Sequence, residues 1–235
     1  MFLPENMKKI YNIIPGKMRI PLLLALTCNM IAYYGTRLLM SNRYHYNLSN
    51  RVDEMIPLVP WTIVLYWGCY IFWVVNYILG CRQREETAFR FISADFCAKI
   101  VCLICFLLFP TTNTRPVIEG TSIWDELMRM LYRVDAADNL FPSIHCLTSH
   151  FCFIAVRENP KVPRWYKAVS LLTAIGIYIS TLTTKQHVLV DAIAGVALAE
   201  LSYLFVLKSG FSKWYAGILS KERFRHLRGG HPNES

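Results

Sequence analysis

The strongest constraint on this chain is the length of its apolar runs. A hydrocarbon core of ~30 Å takes about 20 helical residues to cross. Six runs are delimited, near 20–40, 57–79, 91–109, 142–157, 166–184 and 187–207. A very apolar soluble bundle would need a polar face on each run, and 57–79 has almost none. The first run follows a basic segment, is too long for a secretory signal and lacks a small-residue cleavage site, so it is expected to be retained. The expected fold is an all-α polytopic membrane protein of six transmembrane helices, spanning residues 20–207. A basic N-terminal segment (1–19) precedes it and a basic tail (208–235) follows, its end from Arg228 to Ser235 expected to be disordered.

The net charge of +9 raises the question of nucleic acid, but its distribution answers differently. Seventeen Lys and Arg residues lie before the first run, between the second and third, around the fourth-to-fifth connection and after residue 207. The alternate loops hold six: Arg43, Arg51, Arg115, Arg129, Arg133 and Lys185. This positive-inside bias puts both termini in the cytoplasm, and the basic tail is expected to lie against anionic headgroups. No nucleic-acid partner is expected; the partners are the bilayer and a lipid substrate. The eight cysteines lie in or beside the runs, and the Cys102-x-x-Cys105 spacing inside an apolar run reads as helix packing rather than zinc.

Two motifs carry chemistry. His187 and Asp191 are four apart, so on a helix they share a face and the carboxylate reaches the ring nitrogen nearest the backbone. The other nitrogen is then free and more electron-rich, as a nucleophile or base requires. His145 stands three residues after Pro142, at the expected start of its own helix. Two histidines in different environments, one with a carboxylate partner, suit a displacement in which one attacks and the other donates a proton. By the charge bias, Arg115, His145 and the Ser180–His187 connection all fall on the extracytoplasmic face, which places the catalytic site there and, for a cell-surface protein, in the plasma membrane.

These residues resemble the type-2 phosphatidic acid phosphatase superfamily of membrane lipid phosphate phosphatases and related lipid phosphotransferases. Pro142-Ser143-Ile144-His145 matches its Pro-Ser-Gly-His motif. Ser180, His187 and Asp191 match Ser-Arg, five residues, His, three residues, Asp, and Arg115-Pro116 matches the end of a weaker first motif. The resemblance covers about residues 90–207. Two phosphate-binding cations of the family are replaced, the lysine by Leu108 and the arginine by Thr181.

The resemblance implies that His187 is the nucleophile forming a phosphohistidine and that Asp191 orients it. His145 would protonate the leaving oxygen and then activate water. Phosphate would be held by Arg115, Ser143, Ile144 and Ser180, with Lys185 or Arg133 as substitute cation and Thr111, Thr112 and Thr114 as further donors. The expected activity is metal-independent hydrolysis of a lipid phosphomonoester or pyrophosphate, with no cofactor. The alternative is head-group transfer to a lipid hydroxyl, as in inositol phosphorylceramide and sphingomyelin synthases. A rival reading of the same residues is a divalent-metal site of His187, Asp191 and His145, completed by Asp135 or Asp138.

Three further features are read structurally. Residues around 123–131 alternate apolar and charged positions at helical spacing, as an interfacial amphipathic helix would. Asp95 and Lys99 are expected to pair within the third run, Glu200 to make a buried hydrogen bond, and His150 to pack.

Overall fold

The structure, a computed structural model, describes residues 13–219. Expectations for the tail end Arg228–Ser235 lie outside the described residues. Helix α1 (Gly16–Met40) contains one π-helical turn at Ile31–Gly35. After it come the short α2 (Arg51–Met55) and then α3 (Ile63–Cys81), entered through a 3-10 turn at Pro60–Thr62. The remaining helices are α4 (Glu85–Leu108), α5 (Ile123–Val134), α6 (Ile144–Arg157), α7 (Arg164–Thr183), α8 (Leu189–Ser209) and α9 (Phe211–Leu219). Two short strands, β1 (Tyr46–Asn47) and β2 (Thr111–Thr112), pair in parallel and clip together the loops after α1 and α4.

Local chemistry sets these boundaries. Asn50 and Ser122 cap α2 and α5 through reciprocal bonds with Asp53 and Asp125. Proline precedes α7, and Gly210, in the left-handed region, ends α8. α1 begins at Gly16, ahead of the expected residue 20, and Phe211–Leu219 of the expected tail is helical and packs on α4.

Among the described residues, five helices are long and apolar enough to cross a membrane: α1, α3 with its 3-10 turn, α4, α7 and α8. The other expected span, 142–157, is a helix of 14 residues. At 1.5 Å per residue it extends about 21 Å, too short to cross a ~30 Å core alone. Its start is fixed by Ser143, whose hydroxyl caps it. Outward faces are apolar, with Leu38 80% and Ile71 74% exposed. α6 packs against α3, α4, α7 and α8, while α4 also carries α1 and α9.

The charged residues expected inside the bundle, Asp95, Lys99 and Glu200, are paired. Lys99 donates to Asp95 at 2.8 Å, both buried, and Tyr77 donates to the other oxygen of Asp95. Glu200 accepts from Arg157 and contacts His150 at 2.6 Å, and the other His150 nitrogen meets the Tyr178 hydroxyl. His150 therefore belongs to a polar chain joining α6, α7 and α8 rather than simply packing. α5 forms where amphipathic spacing predicts it. Met128 and Leu131 are buried against Ile63 and Tyr66, while Ile123, Met130 and Val134 are exposed.

α6 and α8 cross at Gly195. A Cβ there would lie 2.4 Å from the Ser143 carbonyl oxygen and 3.2 Å from the Leu147 nitrogen. Both are backbone atoms, so neither can swing aside. Gly195→Ala is therefore expected to force the helices apart and destabilise the fold by about 1–3 kcal/mol, the usual cost of overpacking. A melting temperature in detergent equal to that of the wild type would refute this close approach.

Candidate active site

The crossing at Gly195 brings the two motifs together. The backbone N–H of Ser143 donates to the carbonyl of Asp191 at 3.0 Å, tying the start of α6 to the first turn of α8. The His145 and His187 rings consequently stand 5.9 Å apart, centroid to centroid. Nδ1 of His187 lies 3.4 Å from Oδ2 of Asp191. That is an electrostatic contact rather than an aligned hydrogen bond, because neither His187 Nδ1 nor Asp191 Oδ1 has a hydrogen-bond partner. Oδ2 of Asp191 also accepts from the N–H of Val188 at 3.0 Å, capping α8. One carboxylate thus fixes both the helix start and the direction of the imidazole.

The turn carrying His187 is built by the end of α7. Lys185 occupies the left-handed region with φ 55°. Its N–H donates to the Leu182 carbonyl, and the N–H groups of Gln186 and His187 both donate to the Thr181 carbonyl. This is a Schellman C-cap with lysine in the position usually filled by glycine. The Lys185 ammonium is held by the carbonyls of Asp53 and Ile56 at the end of α2. Desolvation there lowers its pKa. The Asp53 carboxylate in turn accepts from the N–H of Leu189 at 2.7 Å. The turn is therefore clamped from outside by a segment more than 120 residues away in sequence.

The structure separates the expected phosphate-binding residues. Ser180 is buried and donates to Ile177 O within its own helix. Ser143 accepts the Cys146 N–H on its hydroxyl and gives its own N–H to the Asp191 carbonyl, so the backbone donor expected at Ser143 is already committed. At the start of α6, Ile144 and His145 carry N–H groups that have no partner within the helix. Leu108 is 79% exposed on the outer surface, whereas Thr181 is fully buried, its hydroxyl bonded to Tyr178 O and 3.6 Å from Cys146 Sγ. An arginine at 181 has no space. Thr111, Thr112 and Thr114 organise the loops: Thr111 accepts the N–H groups of Leu140 and Phe141, Thr112 donates to Ala137 O, and Thr114 accepts from Asn47.

Arg115 is half-buried and donates to the carbonyls of Asp135 and Ala136 and, at 2.6 Å, to Oε1 of Gln186. Burial lowers its pKa, against the pull of Asp135 and nearby tyrosines. The guanidinium fixes which way the Gln186 amide faces. Oε1 is turned to Arg115, and the buried Nε2, without a partner, is left on the other side. Gln186 was invisible as a site residue in the sequence, apart from standing next to His187.

On the side of His145 away from His187, its ring packs on Tyr66 and Trp73 at 4.5 and 5.5 Å. Tyr66 donates to Oδ2 of Asp135 at 2.6 Å, and Tyr33, from the π turn of α1, donates to Oδ1. Burial opposes ionisation of Asp135, but His145, the two phenols and Arg115 outweigh it and hold its carboxyl below the usual range. Asp138, whose partner is Arg37, is pushed up by burial. Among the described residues, no three His, Cys, Asp or Glu side chains converge as a metal site would require.

Both histidines and Gln186 open into a cavity of about 640 Å³. α1 and α3 form its walls, with Leu22, Leu26, Trp67, Tyr70 and Val74 among the lining residues. Lys99 of α4 lies at the far end from the histidines, and Thr148 of α6 lies between. Arg115, Ser143, Ser180 and Lys185 do not line it, while Ile144 does.

This placement makes a test for Lys185. Lys185→Met is expected to lower the melting temperature in detergent because two carbonyl acceptors lose their charged donor, and Lys185→Arg should fall less. A Met variant that melts like the wild type yet loses turnover would return Lys185 to the phosphate.

Comparison with known proteins places the chain in a family. A sequence profile described as the PAP2 superfamily matches residues 46–205, a stretch that includes α3 through most of α8 and both histidines, with Arg115, Asp135, Gln186 and Asp191. No curated protein matches the chain. The chain belongs to the PAP2 superfamily.

Proposed function

We propose that the protein is a membrane lipid phosphate phosphatase, working through a phosphohistidine on His187 without a metal. The observation that carries this reading is the pair of histidines, 5.9 Å apart, at one end of a largely apolar cavity. A lipid chain along α1 and α3 places its phosphate among groups that stay polar and unpaired: His145 Nε2, Gln186 Nε2 and the first N–H groups of α6. Nδ1 of His187 faces Asp191, so Nε2 attacks phosphorus in line. His145 donates a proton to the leaving oxygen and later removes one from the water that cleaves the N–P bond. The charge bias of the loops supports a site facing away from the cytoplasm.

Gln186 takes a part that the family gives to arginine. Arg115 aims its amide at the phosphate from behind, so positive character reaches the substrate through a polarised N–H rather than through a second guanidinium. This weaker field suits a phosphate carrying less charge. It is also the one observation favouring head-group transfer from a phosphodiester.

The reading is tested by phosphate release from a panel of lipid phosphates in detergent, with head-group transfer to a lipid alcohol followed in parallel. His187→Asn is expected to abolish turnover in a protein that still melts as the wild type does. Gln186→Ala is expected to lower kcat/KM at least ~10-fold, about 1.4 kcal/mol of transition-state stabilisation. Full turnover by the His187 variant would end the nucleophile assignment, and transfer without release would replace hydrolase by transferase. Activity is further expected to survive EDTA and to be blocked by vanadate. Loss in EDTA that a divalent ion restores would establish the metal reading instead.

A further inference from the structure

We propose that Asp135 and Tyr66 are positioning residues that fix the tautomer of His145, the nitrogen nearer the backbone carrying the proton, and so set up its other nitrogen for acid–base work. The inference rests on the phosphatase reading only for its catalytic consequence; the tautomer follows from the hydrogen bonds alone.

The argument is a count of protons. Asp135 accepts two phenols, Tyr33 on Oδ1 and Tyr66 on Oδ2, the latter at 2.6 Å. An ionised carboxylate can only accept, so each phenol points its single proton at Asp135. The oxygen of Tyr66 is then left with lone pairs alone. His145 Nδ1 stands 3.4 Å from that oxygen, and with the phenol proton already committed, Nδ1 must be the donor. Neutral His145 is therefore the Nδ1–H tautomer. Its Nε2, buried and without a partner, presents a lone pair to the cavity, or a proton when the ring is charged.

Packing holds the ring in this pose. Tyr66 lies against it with centroids 4.5 Å apart and planes at 30°, Trp73 at 5.5 Å and Tyr70 at 6.5 Å. Trp73 is itself fixed by its N–H bond to Ser149 at 2.9 Å. The other side of the site uses the same logic, Asp191 facing Nδ1 of His187. Each histidine thus has a carboxylate behind it, one direct and one relayed through a phenol, and both present Nε2.

In the reaction this arrangement balances as follows. The His187 Nε2–P bond forms as the P–O bond of the leaving alkoxide breaks. The proton on His145 Nε2 passes to that oxygen, leaving neutral His145 with its proton on Nδ1. Water then attacks phosphorus, its proton passes to His145 Nε2, and the N–P bond breaks. Throughout, Nδ1 keeps its proton on the Tyr66 oxygen, so the ring never has to turn over between steps.

The test reads the tautomer directly. Protein labelled with ¹⁵N-histidine in detergent is examined by long-range ¹H–¹⁵N correlation, the His145 signals being assigned by their loss in His145→Gln. The wild type is expected to show the neutral ring as Nδ1–H. In Tyr66→Phe the acceptor is gone, and in Asp135→Leu the phenol is free to turn and donate to Nδ1; both should move His145 to Nε2–H. A wild-type Nε2–H ring, or two variants that keep Nδ1–H, overturns the proposal.

Activity supplies the second arm. kcat/KM reports steps up to departure of the leaving group. Tyr66→Phe should therefore lower it at least ~10-fold more for an alkyl phosphate, whose leaving oxygen needs a proton, than for 4-nitrophenyl phosphate. Equal losses on both esters would overturn the role in acid catalysis, since a merely structural lesion would not sort substrates by leaving group. Failure of the phosphatase reading looks different: the wild type releases no phosphate from any ester while its His145 stays Nδ1–H.

Discussion

One backbone hydrogen bond, from the N–H of Ser143 to the carbonyl of Asp191, fixes how far apart His145 and His187 lie. It joins the start of α6 to the first turn of α8, and it forms only because Gly195 lets the Ser143 carbonyl approach α8 more closely than any side chain would permit. The rest of the site hangs from that crossing. Ser143 uses both its hydroxyl and its N–H structurally, Asp191 caps α8 with the oxygen that also faces His187, and the rings meet across the gap. Ser143, which the motif resemblance offers as a phosphate ligand, also pins the two motif helices together.

The loops then supply what the helices lack. A membrane helix satisfies its own backbone, but its ends and the turns between helices must find partners elsewhere. Here they find them in each other. Lys185 closes the carbonyls of α2, Asp53 caps α8 from the same short helix, and Arg115 braces the carbonyls of Asp135 and Ala136. The family arginine at position 181 is unnecessary to this architecture and could not enter it, because the Thr181 side chain is buried against α6 while its carbonyl receives two N–H groups of the catalytic turn. Positive charge stays behind the site, in Arg115, and reaches the cavity through Gln186.

How much of this was legible in the sequence follows from the range of the forces involved. The apolar runs are local patterns whose helices appear near where expected, but His187 lies in the turn before α8 and so meets Asp191 from outside the helix rather than along a helical face. The capping of α6 by Ser143 is equally local, since a serine after Pro142 at the head of an apolar run is a start signal. The expected run 142–157 begins two residues ahead of α6 because Pro142 precedes the helix and Ser143 caps it. The roles of Asp53, Tyr66 and Asp135 depend on contacts across 69 to 136 residues, and no spacing rule reaches that far. Lys185 was misjudged for a related reason: proximity to His187 in sequence says nothing of direction, and a left-handed residue at a helix C-cap sends its side chain away from its neighbours'.

The distribution of unpaired polar atoms gives the cavity its direction. A buried polar group without a partner costs about 1–3 kcal/mol, so such groups facing a cavity favour a ligand or water that meets them. At the far end of the cavity Lys99 is neutralised by Asp95, which Tyr77 also serves, and the polar cost there is already offset within the protein. At the histidine end, His145 Nε2 and Gln186 Nε2 remain open. The same cavity thus has an end with its charges settled and an end with open polar nitrogens, with Asn29 Oδ1 and Thr148 Oγ1 also unpartnered along its lining. An amphiphile can satisfy both requirements at once only with its chain along α1 and α3 and its anionic group against the two rings. For the proposed lipid phosphate substrate, the walls and the open polar nitrogens would set its orientation before any chemistry begins.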